Sequence, residues 1–282
     1  MFAGKNVLVT GGSSGIGRQL ALDFARCGAR VAILAHNADG LETVRREVAR
    51  ISPDPRVYLC DLGDVAQVKR VASAYLVDSE PPAILVNNAG YAVYRTFPDL
   101  TTDEIERLLV VNFVSPFLLT REFLPSMIAA GGGHIVMMAS IAGRLPLTPC
   151  GPYSAAKHGL VAGAETLRAE LDRFGISVHL VCPGRVEGTG FFAHESFRDR
   201  SHRRETRWTI RPDMVSRATL DAIRRDRFLT TIPRIQGPLV WLAHALPGLS
   251  RPLLQRLMRA RVEDVYTRKS SRQSRESNAR NV

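Results

Sequence analysis

The sequence has few cysteines, and their spacing excludes two common classes of small scaffold. Four occur among 282 residues, and no two form a CxxC pair; they are Cys27, Cys60, Cys150 and Cys182. Disulfide frameworks and structural zinc sites depend on closely spaced cysteines. The four thiols are therefore expected to be small buried side chains in a reducing compartment. No cluster of metal-ligating residues occurs in the sequence, and no metal site is predicted.

Long hydrophobic runs are also missing. No apolar stretch reaches the roughly 18 to 20 residues that a membrane span requires. Residues 1–10 run directly into a strand-like segment, without the separate charged and apolar regions of a signal peptide. We therefore expect a cytoplasmic protein.

Acidic residues are scarce in one part of the chain only. Residues 1–197 hold 18 Lys and Arg against 19 Asp and Glu, whereas residues 198–282 hold 20 against 8. The whole net charge of +11 therefore comes from the C-terminal third. There the arginines alternate with Leu and Trp segments and form no continuous basic cluster, so nucleic-acid binding is not predicted.

What the sequence does contain is an alternation of short apolar runs and helical periodicity. Uninterrupted apolar runs predict buried strands, at residues 5–10, 30–35, 56–60, 83–86, 134–139 and 177–182. Apolar positions three and four apart predict helices between them. Such strands favour a parallel sheet covered on both faces. We predict an α/β fold, a doubly wound Rossmann sheet with a C-terminal helical extension.

A glycine-rich turn, TGGSSGIG at residues 10–17, lies between the first strand and the first helix. Glycines allow close approach of the backbone to a pyrophosphate, and the helix N-terminus adds unpaired N–H groups. The position of the turn, after a strand and before a helix, predicts a dinucleotide phosphate site.

The end of the second strand reads Ala35-His36-Asn37, without a carboxylate until Asp39. An acidic residue here would bind the ribose 2′-hydroxyl of NAD and repel the 2′-phosphate of NADP. NADP is therefore favoured, with NAD as the alternative. His36 and Asn37 are candidate phosphate ligands and Arg18 a candidate counter-charge, although His36 can equally be an ordinary surface residue.

A second motif suggests proton transfer. Tyr153 and Lys157 are four residues apart at a predicted helix start, which places both side chains on one helical face. A nearby ammonium stabilises a phenolate and lowers the tyrosine pKa from its usual value of about 10. Ser140 ends the preceding strand, where its hydroxyl can bond a substrate carbonyl.

With these motifs in order, the sequence resembles the short-chain dehydrogenase/reductase family over residues 4–190. The resemblance rests on five motifs: TGGSSGIG, Asp61-Leu62, NNAG at residues 87–90, Asn112 with Ser140, and YSAAK at residues 153–157 followed by Pro183-Gly184. It implies that Asn112 holds a proton-relay water, Ser140 orients the carbonyl, Tyr153 exchanges the proton, and Lys157 binds the nicotinamide ribose. The predicted cofactor-binding residues are Gly11, Ser13, Ser14, Gly15, Ile16, Gly17, His36, Asn37, Asp61, Leu62, Asn88, Ala89, Gly90, Tyr153, Lys157, Pro183, Gly184 and Val186.

The resemblance divides the chain into three parts. Residues 1–192 are the predicted dinucleotide-binding and catalytic Rossmann domain. Residues 193–267 hold a substrate loop and a basic amphipathic helical extension. The aromatics in or directly before the loop, which suit a lipophilic substrate, are Phe191, Phe192, Phe197 and Trp208. That extension is compatible with an anionic membrane surface, with its own domain or with a partner subunit. Residues 268–282 are polar and expected to be disordered.

The predicted function is that of an NADP-preferring oxidoreductase. It would reduce a ketone, or oxidise a secondary alcohol, on a lipophilic substrate with Tyr153 as proton donor. One alternative is an NAD-dependent alcohol dehydrogenase, and another is a non-catalytic dinucleotide-sensing protein. The resemblance further implies a homodimer or homotetramer, with the helices around residues 104–128 and 153–174 at the interface.

Overall fold

One parallel sheet of seven strands organises the residues that the computed structural model describes, which are 1–189, 191, 195–197 and 209–280, with side chains through residue 267. The strands are β1 (Asn6–Thr10), β2 (Arg30–Ala35), β3 (Arg56–Leu59), β4 (Ile84–Asn87), β5 (Gly133–Met138), β6 (Ile176–Pro183) and β7 (Leu229–Ile232). Their order across the sheet is β3-β2-β1-β4-β5-β6-β7. This order confirms the predicted doubly wound α/β fold.

Helices cover both faces of the sheet. They are α1 (Gly15–Arg26), α2 (Ala38–Ala49), α3 (Val65–Asp78), α4 (Thr102–Leu109), α5 (Ser115–Ala129), α6 (Gly151–Leu171), α7 (Pro212–Arg224), α8 (Gln236–Ala245) and α9 (Pro247–Arg280). Helices α1, α2 and α7 pack on one face, and α3, α5 and α6 on the other. Within β1, Val7 and Val9 face the first layer and Leu8 the second. Burial on both faces explains why the strand sequences show no alternation.

The sheet continues past residue 192, where the sequence boundary was placed. Strand β7 pairs with β6 in the register Leu180 to Leu229, and α7 packs beside α1. This strand, LTTI, was not predicted, because four residues between a helix and a proline give too short a periodic signal. Residues 212–232 therefore belong to the Rossmann sheet and not to an appended segment.

The C-terminal tail also differs from its prediction. Residues 268–280 were expected to be disordered, but the structure continues α9 through Arg280. This stretch contains no Gly or Pro, so it can propagate a helix that is already nucleated.

The stretch Thr102–Ala129, which comprises α4, a π-helical turn and α5, is long and apolar. Among the described residues it is the one helix whose length and composition would allow it to cross a membrane, and 44% of its most apolar window is buried inside the protein. Its side chains Leu119, Phe123 and Met127 pack in the core below the sheet. A π-helical turn, Val110–Val114, separates α4 from α5.

Phe123 offers a direct test of this core. The side chain is fully buried and meets Tyr75 edge-on, with the ring centroids 5.2 Å apart. We expect Phe123→Ala to lower the free energy of unfolding by about 3–5 kcal/mol, because the cavity would be only partly refilled. Urea denaturation measures it, and Val77→Ala, at a side chain that is 86% exposed, should change it by less than about 0.5 kcal/mol. An equal effect of the two substitutions would contradict the packing described.

Candidate active site

The candidate site lies at the carboxyl edge of the sheet, where β1, β4, β5 and β6 end. The strand order reverses between β1 and β4, so the loops that follow these strands diverge and leave a crevice. All of the predicted site residues follow strands at this edge or lie on α6 and the π-helical turn beside it.

The glycines of the glycine-rich turn have little or no room for a side chain. Gly11 and Gly15 have positive φ angles of 65° and 53°, which favour glycine. A Cβ at Gly12 would lie 1.7 Å from Ile33 Cγ2, and one at Gly17 would lie 2.2 Å from the Gly11 carbonyl oxygen. Ser14 precedes α1 without a side-chain capping bond, so the first N–H groups of the helix stay free of such a cap. The turn therefore has the form of an anion cradle.

Thr10 fixes this turn to the NNAG segment. Its hydroxyl accepts hydrogen bonds from the backbone N–H groups of Asn88 and Ala89, at 2.9 and 3.0 Å. The Asn88 side-chain amide in turn donates to the Thr10 carbonyl oxygen at 2.8 Å. The structure thus brings the predicted residues Gly11 and Asn88 together. Thr10 was not predicted as a site residue, although it opens the motif.

At the end of β2, His36 is exposed and Asn37 caps α2 by accepting from the Gly40 amide at 3.0 Å. The cap occupies the Asn37 oxygen but leaves its NH₂ group as a donor. Arg18, predicted as a possible counter-charge, forms a two-point ion pair with Glu47 at 2.7 and 2.8 Å. The carboxylate of Glu47 therefore already balances the positive charge of Arg18.

Asp61 and Leu62 follow β3, as predicted. Leu62 is buried, whereas the Asp61 carboxylate accepts two hydrogen bonds from Arg107, at 2.9 and 2.8 Å, and one from the Gly63 amide. Burial raises the pKa of Asp61, but the bonds from Arg107 and Gly63 outweigh burial and hold it below its ordinary value. Arg107 was not predicted, because it lies 46 residues from its partner and belongs to no motif.

Asn112 lies within the π-helical turn and is completely buried. Its side-chain NH₂ group donates to the carbonyl oxygens of Tyr91 and Leu108, at 2.9 and 3.0 Å. Its Oδ1 has no partner among the described residues. A Cβ at Gly90 would lie 2.6 Å from this oxygen and 3.4 Å from Lys157 Nζ. An acceptor without a partner thus points to the space beside the lysine, where a bound water would satisfy it.

Tyr153, Ser140 and Lys157 form the centre of the site. Tyr153 and Lys157 are buried on α6, and Lys157 Nζ lies 5.8 Å from the Tyr153 ring centroid. The Lys157 ammonium donates to the Met138 carbonyl oxygen at 3.0 Å. Burial lowers the pKa of Lys157 to about 8. Burial also raises the pKa of Tyr153 well above its ordinary value, against which a hydrogen bond with Ser140 acts.

An aromatic cluster lies over Tyr153. Phe191 meets the Tyr153 ring edge-on at a centroid distance of 5.5 Å, and Phe197 contacts Phe191 and Tyr94 at 6.4 and 5.5 Å. The predicted aromatics Phe191 and Phe197 are thus brought to the site, while Phe192 and Trp208 lie outside the described residues. Tyr94 was missed, although it closely follows the NNAG motif.

The end of β6 completes the crevice. The Gly184 amide donates to the Ile232 carbonyl oxygen at 2.7 Å, which fixes the Pro183-Gly184 turn against β7, and Val186 is buried. Two polar atoms that the sequence did not single out are buried here without partners among the described residues, Thr189 Oγ1 and Gln236 Oε1. A Cβ at Gly15 would lie 3.1 Å from both Cβ and Cγ2 of Thr189, so the Thr189 side chain borders the glycine-rich turn.

Comparison with known proteins identifies this arrangement. The sequence profile described as short chain dehydrogenase matches residues 5–199. The chain belongs to the short-chain dehydrogenase/reductase family. Epidermal retinol dehydrogenase 2 of Mus musculus is 33% identical to it over 250 residues, which cover 87% of this chain and 79% of that relative.

Other relatives of this short-chain dehydrogenase/reductase match it over a smaller share of their length. A dehydrogenase/reductase SDR family protein 7-like of Drosophila melanogaster is 35% identical over 187 residues, 65% of this chain and 57% of the relative. The chain therefore matches little more than half of that protein. Among solved structures, a short-chain dehydrogenase/reductase from Burkholderia phymatum in complex with NAD has a TM-score of 0.78 at 27% identity, covering 88% of this chain and 95% of that one. A short-chain dehydrogenase from Sphingobium yanoikuyae in complex with NADPH has a TM-score of 0.76 at 27% identity, covering 87% and 94%.

Proposed function

We propose that this chain is an NADP-preferring oxidoreductase that reduces a ketone, or oxidises a secondary alcohol, on a lipophilic substrate. The observation that carries the proposal is the buried pair Tyr153 and Lys157 with Ser140 beside it, at the same carboxyl edge of the sheet as the glycine cradle. A tyrosine held between a hydroxyl and an ammonium is suited to proton exchange with a carbonyl or alcohol oxygen.

The residues present fit a nicotinamide dinucleotide. The glycine cradle at residues 11–17 would hold the pyrophosphate, His36 and Asn37 the adenosine ribose, and Lys157 the nicotinamide ribose. The buried acceptor Asn112 Oδ1 and the hydroxyl of Thr189 are polar atoms that a bound group or water would satisfy. The dinucleotide supplies or accepts the hydride when bound.

The chain's own residues handle the proton. In reduction, Ser140 would donate a hydrogen bond to the substrate carbonyl oxygen, and Tyr153 would transfer its proton to that oxygen. The positive charge of Lys157 stabilises the phenolate that remains. Asn112 would hold a water beside Lys157, through which the proton is replaced from solvent.

The lipophilic substrate is inferred from the aromatic cluster of Tyr94, Phe191 and Phe197, which borders Tyr153. Leu147 and Cys150 pack against this cluster, and together with the aromatic rings they make this side of the site apolar. We also propose a homodimer or homotetramer, in which the helices around residues 104–128 and 153–174 contact their counterparts, and sedimentation velocity would test it.

Cofactor preference is tested first by titrating the chain with NADPH and NADH and following nicotinamide fluorescence. We expect tighter binding of NADPH, because His36 and Asn37 can donate to a 2′-phosphate and no carboxylate ends β2. We expect His36→Asp to weaken NADPH binding by roughly tenfold or more, since a carboxylate repels the phosphate, and to leave NADH binding intact or improved.

The matched control is Ala74→Asp, which places the same charge on the exposed face of α3 away from the cradle. This variant should bind both dinucleotides as the parent chain does. Tighter NADH than NADPH binding by the parent chain would favour the NAD-dependent alcohol dehydrogenase instead. Binding of neither dinucleotide would refute the proposed function.

A further inference from the structure

The C-terminal helices carry an apolar stripe that the fold leaves exposed. Its members recur every three or four residues and each is between 47% and 74% exposed; they are Leu239, Leu242, Leu246, Leu249, Leu253 and Leu257. We call this set the C-terminal ridge. Within α8 this spacing places Leu239 and Leu242 on one face, and within α9 it places Leu249, Leu253 and Leu257 on one face. Leu246 lies at the junction between the two helices, and the exposed indole of Trp241 lies beside Leu242 in sequence.

A different face of the same helices already contacts the domain. Val240 on α8 is almost fully buried. On α9, four apolar residues are partly buried: Leu254, Met258, Val262 and Val265. They lie on a face of the helix next to the face that carries the ridge. The Tyr266 hydroxyl lies 3.2 Å from Thr96 Oγ1, in the segment before α4. Docking on its own domain therefore accounts for this face of α9 and leaves the ridge without a partner among the described residues.

The charge around the ridge distinguishes two candidate partners that could cover it, a second copy of the chain and an anionic lipid surface. Arg251, Arg256, Arg259 and Arg261 are exposed along α9, where the ridge continues. Residues 198–282 carry 20 basic and 8 acidic side chains, whereas residues 1–197 are almost neutral. A second copy of the chain that packed ridge against ridge would thus bring the arginines of both copies together, and like charges that face each other weaken an interface. An anionic lipid surface supplies both the negative charge and an apolar phase.

We propose that the C-terminal ridge docks on an anionic lipid bilayer. The leucines would enter the boundary between headgroups and acyl chains, Trp241 would lie at that interface, and the arginines would contact lipid phosphates. The contact between Tyr266 and Thr96 links the docked helix to the segment that follows Tyr94 of the aromatic cluster, so the lipid surface would lie close to the side of the site where a lipophilic substrate enters.

Vesicle binding by the full chain tests this proposal. The chain is mixed with vesicles of phosphatidylcholine alone or of phosphatidylcholine with phosphatidylglycerol, whose negative surface potential attracts basic segments. We expect sedimentation with the anionic vesicles only, and weaker binding as salt is raised. In a Trp208→Phe background, Trp241 is the one remaining tryptophan, and its emission should shift to shorter wavelength on binding.

Two double variants and one control variant test which side chains are responsible for vesicle binding. Leu253→Asp with Leu257→Asp should weaken vesicle binding by roughly tenfold or more, since each leucine loses its transfer into lipid. Arg256→Glu with Arg259→Glu should remove the dependence on phosphatidylglycerol. Val77→Asp, at a still more exposed apolar position on α3, should bind as the parent chain does.

Every one of these measurements tests lipid docking directly, and none requires catalytic activity. Absence of binding to anionic vesicles, or undiminished binding by the leucine variant, would overturn it. Sedimentation velocity tests the alternative that a second copy covers the ridge. A dimer of the parent chain that the leucine variant abolishes would show that alternative to be correct. Because NADPH titration is measured separately, failure of lipid docking leaves the proposed function standing, and the reverse also holds.

Discussion

Replacing Tyr153 with Phe is expected to lower kcat/KM for reduction of a lipophilic ketone by about 10²–10⁴-fold, the range that a positioned general acid contributes. The substitution removes the hydroxyl that Ser140 contacts but keeps the ring that packs edge-on against Phe191. The fold and the dinucleotide site should therefore survive. Steady-state rates, with NADPH affinity measured in parallel by fluorescence, separate loss of the proton donor from loss of binding.

The matched control is Tyr94→Phe, which removes a hydroxyl from the same aromatic cluster while its ring still packs on Phe197. We expect this variant to keep kcat within about threefold, since it removes no group that contacts the reacting atoms. If Tyr153→Phe turned over ketones as fast as the parent chain, Tyr153 would not be the proton donor. If both variants were equally impaired, the cluster would be acting by positioning the substrate.

Replacing Lys157 with Met is expected to affect activity and stability in opposite directions. Activity should fall by roughly 100-fold or more, because the phenolate of Tyr153 loses its neighbouring cation. The free energy of unfolding at pH 7 should rise by about 1–3 kcal/mol, because a buried ammonium, whose pKa is lowered to about 8 by burial, is replaced by an apolar side chain of similar length.

The pH dependence of that stability difference follows from proton linkage. Below pH 8 the lysine is protonated in both the folded and the unfolded chain, so the cost of burying its charge is present in full. Between pH 8 and the ordinary lysine pKa near 10.5, the unfolded chain holds a proton that the folded chain has lost, and folded stability rises with pH. The advantage of Lys157→Met should therefore be largest at pH 7 and fade as pH approaches 10.5.

Thermal or urea unfolding of both proteins from pH 7 to pH 10 measures this difference. Lys69→Met is the control, because that lysine is exposed on α3 and its removal should not change the pH dependence. A constant stability difference across the range would contradict the lowered pKa of Lys157. A less stable Lys157→Met chain at pH 7 would show that the bond to the Met138 carbonyl outweighs the cost of burying the charge.

The sheet was predictable because its signals are local. Six of the seven strands are continuous apolar runs, and steric demands at Gly12 and Gly17 make the glycine turn visible in the sequence. Tyr153 and Lys157 were predictable because an i, i+4 spacing on a helix fixes their common face. Their joint burial beside Ser140 then follows from the order in which the strands end.

Other features depend on contacts that no short pattern reports. Strand β7 is stabilised by pairing with β6, and LTTI alone does not distinguish it from a loop. The Asp61–Arg107 pair joins residues from two distant loops. The C-terminal periodicity is compatible with several partners, and only three-dimensional packing shows that one face of α9 contacts the domain while the ridge stays exposed.

The π-helical turn at residues 110–114 makes chain length a determinant of chemistry in this protein. A π turn amounts to one extra residue within an α-helix, and that residue sets the direction in which Asn112 projects. Loss of a single residue here would restore regular α-helical winding and remove the widened turn in which Asn112 lies. Substitution scans keep the chain length constant and therefore do not sample this constraint. Insertions and deletions do, because they change the number of residues in the turn that holds the buried Asn112.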